Sequence, residues 1–527
     1  MKKYTHSFFL LMGTSAIGLV NGLVLPCQSN STSGTHCGAD LILIEFLPRA
    51  LPRNGYGKVM SPGDGDGSFS GDDGISIELD EGINMAWSQF EHSQDVNVRI
   101  LRRDGQAVDE EVIIRPTVHT FETQHVAGAL VIRVPAGPKG HRFSVEFGDD
   151  LYTYRSNSNG YTTDGSGEVV SIEPRIALVI FASAFLPDEL VPSLDGPDTK
   201  VMTPGAFSVA DIGGAPIVYF PPGVYWIHSE PVGLTHIKLD ASTYWVHLAP
   251  GAFVKGAVEY TTGNKDFYAT GHGVLSGEIY VYQANVEAGY TAEKSDLTIP
   301  RPTTSSPPFN TMDLKDGSID REDISVDIFD YKQVGAFFMQ TDGPQMYMDG
   351  TVRDVFYHCN DDAIKTYQSD GWQPRNAHGV AIDTLYIIHT RYRKSETYVP
   401  SSIIGASLIY NGEPRLDPSM TISISVSNII CEGPSPGLFR LTPLQNYADF
   451  KVTGVNYVDG LVGGSVPIGD SIIATTEDTT YPGSEDLSMG LSISDWTVKG
   501  ERVTMENAET LGQWNINAAY DGQWSIA

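Results

Sequence analysis

The stretch "TYWVHLAPGAFVKGAVEYTTGNKDFYATGHGVLSG", residues 243–277, decides the fold. It holds three short runs, "TYWVHLA" (243–249), "FVKGAVEY" (253–260) and "FYATGHGVLSG" (267–277), rich in Val, Ala and aromatic residues. Turns containing Gly, Pro and Asn separate them, and no run shows the 3.6-residue period of an amphipathic helix. The texture continues on both sides. "GVYWIH" (223–228) precedes it, and "ISVDIFD" (324–330), "VGAFFMQ" (334–340), "TVRDVFYH" (351–358), "VAIDTLYIIH" (380–389), "ISISVSNIIC" (422–431), "LFRLTP" (438–443) and "FKVTGVNYV" (450–458) follow. Strand-turn units recur roughly every 20–30 residues, which is the signature of a solenoid of stacked β coils. A second β-sandwich is the structural alternative, and it would show cleaner two-residue hairpin turns.

Upstream the pattern is different. "ISIEL" (75–79), "VNVRIL" (96–101), "EVIIRP" (111–116), "ALVIRVP" (129–135), "RFSVEF" (142–147) and "IALVIFA" (176–182) alternate or are β-branched, with Gly, Asp and Pro turns between them. Regular short strands without a helical period predict a β-sandwich. The Pro- and Asp-rich "LPDELVPSLDGPDTKVMTPG" (186–205) reads as the linker. The expected organisation is a leader over 1–22, a sandwich over 23–198 and a β-solenoid over 199–527.

The leader reading rests on "MKKYTHSFFLLMGTSAIGLVNG". Lys2 and Lys3 precede an apolar run (8–20) too short to span a bilayer, and Val20 and Gly22 suit a cleavage site. A buried first helix is the plainer reading of the same residues. Secretion to the extracellular medium is the expectation, and Asn30-Ser-Thr is a glycosylation acceptor compatible with it. Cys27 and Cys37 flank a Ser/Thr/Gly loop and could pair in an oxidising compartment. Cys359 and Cys431 lack metal-ligand spacing and read as free buried thiols.

With 65 acidic against 34 basic residues, the formal net charge is −31. Such a field repels nucleic acid and anionic membranes and disfavours a polyanionic substrate. No phosphate loop, Cys/His cluster or nucleophile elbow appears, so no cofactor is expected. The loop "PGDGDGSFSGDDG" (62–74) is out of register with the EF-hand pattern and reads as solvated.

Against this background "FFMQTDGPQMYMDGTVRDVFYHCNDDAIKTY" (337–367) distributes its acid oddly. Asp342 sits in a turn-like "TDG"; Asp361 and Asp362 follow nineteen residues later. In a solenoid that interval is about one coil, and adjacent rungs lie about 4.8 Å apart. Carboxylates so close repel, raising the pKa of at least one, and one protonated acid beside one ionised base is what glycoside hydrolysis needs. Asp361 and Asp362 reach one cleft only if a bend or bulge interrupts the strand. Taken singly, each Asp reads as a turn carboxylate.

These residues carry a resemblance. "TDGP", "DVFYHCNDDAIK", "DYKQVGAFF", "YFPPGVYW", "LAPGAFVKGAVEY", "PPFNTMD", "HTRYRKSETYVPSSIIGAS" and "LFRLTPLQNY", with "DDGISIE" and "NMAWSQFE" upstream, resemble glycoside hydrolase family 49, which holds dextranases and isopullulanases. The tail (503–527) is similar to the fungal dextranase branch. The resemblance implies a β-sandwich followed by a right-handed parallel β-helix acting on an α-glucan, dextran; a monomer is the expectation for the chain. It implies endo-hydrolysis of α-1,6-glucosidic bonds with inversion. It gives Asp361 as general acid and Asp342 and Asp362 as the carboxylates that position and activate water. Lys365, Gln345 and Tyr367 are the candidate substrate contacts. The family's "TDGPE" reads "TDGPQ" here, residues 295–307 lack its "LRMW" region, and residues 367–379 lack about one coil. These departures point to a weakened activity. The competing readings are an isopullulanase- or polygalacturonase-like hydrolase and a glucan-binding homologue that has lost catalysis.

Overall fold

The structure is a computed structural model. It describes residues 41–46, 84–102, 105–108, 111–147, 151–152, 155–156, 160–161, 173–174, 176–227, 236–262, 267–276, 327–334, 343–344, 346, 349–359, 363–366, 379–389, 402–406, 418–419, 421–432, 437–441, 446–458, 471–473, 486–512, 514–516, 520 and 522–527. The leader, Cys27, Cys37 and the runs at 75–79 and 334–340 lie largely or wholly outside these residues.

Two four-stranded sheets form the sandwich. One orders Leu41–Phe46, Val96–Arg102, Ala129–Val134 and Glu122–Val126; the other orders Asn84–Glu91, Ile176–Ser183, His141–Phe147 and Val112–Arg115. Alternation sets which side chains face inward. Val98, Ile100, Leu130, Ile132, Phe143, Val145, Leu178 and Ile180 are fully buried in one cluster between the sheets.

Beyond Thr199 the described strands build a parallel β-helix. Thr199–Val201, Ile217–Phe220, Trp245–Leu248 and Tyr268–Thr270 stack in parallel as one wall. Gly205–Phe207, Gly223–Ile227, Ala252–Lys255 and Val274–Ser276 stack as the next. Further along, Thr351–Cys359, Val380–His389, Ile424–Glu432, Asn446–Tyr457 and Met489–Val498 are successive rungs, again parallel. Apolar side chains stack in files through them: Val352, Ile382, Val426, Val452 and Ile493 make one, and Val355, Leu385, Ile429, Val455 and Trp496 another. Burial of each file against the rungs above and below is what holds a solenoid together.

The two files are three residues apart on each rung, not two, because each long strand bends once. The bend residue is left-handed in every case: Asp354 (φ 57), Thr384 (φ 57), Asn428 (φ 56), Gly454 (φ 71) and Asp495 (φ 53). Asp, Asn and Gly tolerate this conformation, whereas a β-branched Thr does so at a cost. Thr384 is steadied by its own hydroxyl, which donates to Asp383 Oδ2 at 3.0 Å, while Asp383 Oδ1 accepts from Ser427 Oγ (2.6 Å) and Asn428 Nδ2 (2.7 Å) on the next rung. "TVRDVFYH" and its counterparts are single strands, as read from the sequence, and the bend lies within each of them. By contrast, "FVKGAVEY" is two strands, Ala252–Lys255 and Ala257–Glu259, and "FYATGHGVLSG" is two, split at Gly271-His272-Gly273.

The bend presents an outward face to the sandwich. Phe356 and Tyr386 pack with Val179 and Phe181 of Ile176–Ser183. Phe181 meets Phe356 edge-on at 5.4 Å. Around this apolar contact lies a ring of charge. Lys139 Nζ reaches Asp354 at 2.7 Å, and Arg142 pairs with Asp330. Among the described residues no helix is long and apolar enough to cross a membrane.

Candidate active site

The sequence-predicted carboxylates Asp342, Asp361 and Asp362 lie outside the described residues, as do Gln345 and Tyr367; Lys365 is described in its backbone only. The structure does define the frame on either side of them. Ile364–Thr366 pairs in parallel with Ser402–Ala406, which pairs with Gly437–Leu441. Lys365 falls opposite Gly405, and Gly405 opposite Arg440, in one file across the wall. Ala363 and Ile364 are fully buried, Met346 is 2 % exposed, and the Ala363 N–H donates to the Ser402 carbonyl at 3.2 Å. The strand Ile364–Thr366 is therefore anchored at its start.

The rungs also meet directly. A Cβ placed on Gly343 would lie 1.6 Å from the Ala363 carbonyl oxygen and 2.6 Å from its carbon. The two backbones are in contact at that point, with no room for a side chain between them. Asp342 immediately precedes Gly343, and Asp362 immediately precedes Ala363. Consecutive α-carbons are about 3.8 Å apart across a trans peptide.

A second charged cluster, not foreseen in the sequence, lies at the domain junction. His272 comes from the Gly271-His272-Gly273 turn, where a Cβ on Gly271 (φ 108) would sit 1.9 Å from the Leu248 carbonyl oxygen. The turn packs flat on the preceding rung and presents His272 to the sandwich. Its Nδ1 meets Glu91 Oε1 at 2.7 Å and its Nε2 meets Asp330 Oδ2 at 3.0 Å. Lys332 Nζ approaches Asp330 Oδ1 at 2.8 Å. Burial brings Lys332 down to about 8 against the opposing pull of Asp330. Burial also works against the Asp330 carboxylate, but the His272 hydrogen bond and the Lys332 and Arg142 charges hold it well below the usual range. Perturbed groups often mark catalytic centres, yet here each is consumed by a neighbour, so the cluster is a joint between domains. Among the described residues no group of His, Cys, Asp and Glu could hold a metal ion. Cys431 is a free, buried thiol, as its spacing suggested, and burial pushes it up beyond the ordinary thiol range.

The fold is of the class that docks a β-sandwich on a parallel β-helix. Comparison with known proteins narrows the class. The glycosyl hydrolase family 49 N-terminal Ig-like domain matches residues 39–185, the glycosyl hydrolase family 49 domain matches 412–527, and a β-solenoid repeat from dextranase matches 308–343. A dextranase of Talaromyces minioluteus is 49 % identical over 92 % of this chain and 85 % of its own length. An isopullulanase of Aspergillus niger is 33 % identical over 85 % of this chain and 84 % of its own. The solved structure of Dex49A from Penicillium minioluteum superposes with a TM-score of 0.73 at 47 % identity, covering 91 % of this chain and 90 % of that one. The chain belongs to glycoside hydrolase family 49.

Proposed function

We propose that the protein is a secreted, monomeric endo-dextranase that cleaves α-1,6-glucosidic bonds with inversion, with a cleaved leader over 1–22, a sandwich over 23–198 and a catalytic β-helix over 199–527. Asp361 is the general acid that protonates the leaving oxygen, and Asp342 and Asp362 hold and activate the water. Lys365, Gln345 and Tyr367 contact the sugar. The observation that carries this reading is the backbone contact of Gly343 with Ala363, which ties together the chain segments bearing the three acids. The relatives at 49 % and 33 % identity favour dextran over pullulan, because the dextranase is the nearer of the two. A polygalacturonase-like reading, which also places several Asp residues on a β-helix, is disfavoured by the missing "RIK"-type basic cluster and by "GHG" lying upstream of the Asp residues, where both His272 nitrogens are engaged by carboxylates.

The test is reducing-sugar release from dextran, pullulan and polygalacturonate. Release from dextran above the other two is expected. Release from pullulan alone points to the isopullulanase alternative, and binding without release points to a homologue that has lost catalysis. Proton NMR of the first product should show the β-anomer before mutarotation, since an inverting site keeps its carboxylates roughly 6.5–9.5 Å apart to admit a water. An initial α-product contradicts inversion.

Gln345 stands where the family's motif has Glu. An amide is nearly isosteric with a carboxylate but carries no charge and donates where a carboxylate only accepts. Gln345→Glu is therefore expected to raise the rate on dextran about tenfold, roughly 1.4 kcal/mol of barrier. An unchanged rate in an equally folded variant shows that Gln345 is not what limits turnover.

A further inference from the structure

We infer that the joint between sandwich and β-helix is a proton-operated clasp: His272 bridges Glu91 and Asp330 as an imidazolium, and the sandwich is held more tightly when that proton is bound. The clasp is independent of which glucan is cleaved.

Hydrogen-bond donors must match acceptors in a buried contact. His272 Nδ1 lies 2.7 Å from Glu91 Oε1, and Nε2 lies 3.0 Å from Asp330 Oδ2. An ionised carboxylate only accepts, and a neutral imidazole has one N–H and one lone pair. A neutral ring would satisfy one contact and set its lone pair against an oxygen in the other. The imidazolium donates to both. Asp330 does not supply the proton: in spite of its burial, the His272 hydrogen bond and the Lys332 and Arg142 charges hold it well below the usual range. Lys332 and Arg142 both meet its Oδ1, which leaves Oδ2 to His272.

His247, one rung earlier, has the opposite surroundings. Its Nδ1 lies 2.8 Å from the Thr270 hydroxyl, and that hydroxyl accepts from Trp245 Nε1 at 2.8 Å, so its own proton can go to His247. The ring also hydrogen-bonds the Leu190 backbone. One donating and one accepting partner suit a neutral ring, and burial, helped by the charge of His272, brings His247 down to about 4 against the pull of the Leu190 bond. The charged and titratable groups facing the joint are thus Glu91 and Arg142 of the sandwich, and Asp330, Lys332, His247 and Tyr219 of the β-helix.

His272 cannot step back when its proton leaves. A Cβ on Gly271 would lie 1.9 Å from the Leu248 carbonyl oxygen, one on Gly273 would lie 2.6 Å from Leu248 Cβ, and the Gly273 N–H donates to the Leu248 carbonyl at 2.8 Å. The strain falls on the sandwich, at Glu91. Glu91 is in register with Ser183 on Ile176–Ser183, the strand whose Phe181 meets Phe356. Repulsion at the clasp therefore reaches the apolar contact that docks the domains. The docked joint binds a proton that the separated domains do not need. With an ordinary histidine near 6.5, the contribution is fully present below about 6.5 and is lost as pH rises above it.

The experiment compares the full-length wild type with Glu91→Gln and His272→Gln. Neutron diffraction from deuterium-exchanged wild-type crystals at about pH 6 should show deuterium on both ring nitrogens of His272 and on one of His247. Urea unfolding between about pH 5.5 and 7.5 reads the coupling, below the value of about 8 to which burial brings Lys332. Over that range the unfolding constant of wild type should rise about fivefold relative to Glu91→Gln, whose amide can donate to a neutral ring and so needs no proton. It should rise about as much relative to His272→Gln, which has no proton to lose. A joint held by packing alone gives parallel pH profiles in all three proteins. Parallel profiles overturn the inference. So does a single deuteron on His272, or a deuteron on the Glu91 or Asp330 carboxyl. Diffraction from the wild type carries the test if neither variant folds.

Discussion

Asp361→Asn should lower turnover on dextran by about 10²-fold or more while leaving the fold intact. The two halves of that expectation have separate causes. Asn has the shape of Asp, and the residues that anchor the turn are its successors Ala363 and Ile364, buried in the wall and bonded to the next rung. Replacing the carboxyl therefore removes chemistry and little packing. The chemical loss follows from the role proposed for Asp361. An alkoxide is a poor leaving group, and a positioned carboxylic acid spares the transition state from expelling one. An amide cannot deliver that proton. The diagnostic measurement is the dependence on leaving group. An aryl isomaltoside whose phenol is strongly acidic needs no protonation, so Asp361→Asn should recover much of its rate on that substrate. Asp342→Asn and Asp362→Asn should not, because the water they position is needed whatever departs. A folded Asp361→Asn enzyme with wild-type turnover on dextran would remove Asp361 from the mechanism. A large loss that is equal on dextran and on the activated glycoside would reassign it to the water.

How far each feature was legible in the sequence depends on the range of the interaction. The inward files were legible because Val, Ile and Leu recur on every rung, and stacking of like on like requires only local composition. The bend was written less plainly. Asp354, Asn428 and Asp495 are residue types that tolerate positive φ, but Thr384 stands in the same file and breaks the pattern. A two-residue alternation laid across the bend predicts the wrong face for everything after it. The joint between domains was not legible at all. His272 finds Glu91 across 181 positions of sequence, and no local pattern marks either. "GHG" is a turn-and-histidine motif in one dimension; only packing on Leu248 and the arrival of the sandwich make it a joint. The acidic pair lies between. Its spacing from Asp342 predicts neighbouring rungs; the three acids lie outside the described residues, and the structure shows only the contact of Gly343 with Ala363 beside them. Which oxygen faces which is a matter of side-chain geometry that spacing does not encode.

Glu432→Ala is expected to destabilise the protein by about 3–5 kcal/mol, the usual cost of removing one member of a buried ion-pair network. Glu432 ends the strand Ile424–Glu432 and is fully buried. Its Oε2 accepts from Arg115 Nη1 at 2.9 Å, and its Oε1 accepts from the Thr117 backbone N–H at 2.7 Å and hydroxyl at 3.0 Å. Arg115 and Thr117 belong to the sandwich, so one β-helix side chain binds that domain at three points. Arg115 Nε also donates to Glu146 Oε2 at 3.0 Å, and Ser144 donates to Glu146 Oε1 at 3.3 Å. Truncation leaves the Thr117 N–H without its acceptor and half of a buried guanidinium charge uncompensated. Loss of the apolar contact beside it is not expected, so the domains stay docked but open at lower denaturant. The network carries a pH signature. Burial pushes the Glu146 carboxyl above its ordinary 4.5, more than the Arg115 charge brings it down. A carboxyl raised on folding contributes stability that is fully present below about 4.5 and is lost as pH rises through its folded value. The Glu146 contribution should therefore shrink as pH rises, so the difference in unfolding free energy between wild type and Glu146→Gln should move against wild type from acid to neutral pH. Urea unfolding at two pH values measures both effects. A Glu432→Ala cost under about 1 kcal/mol would mean that water replaces the carboxylate at the joint, and that the apolar contact of Phe181 with Phe356 is the larger part of what holds the domains together.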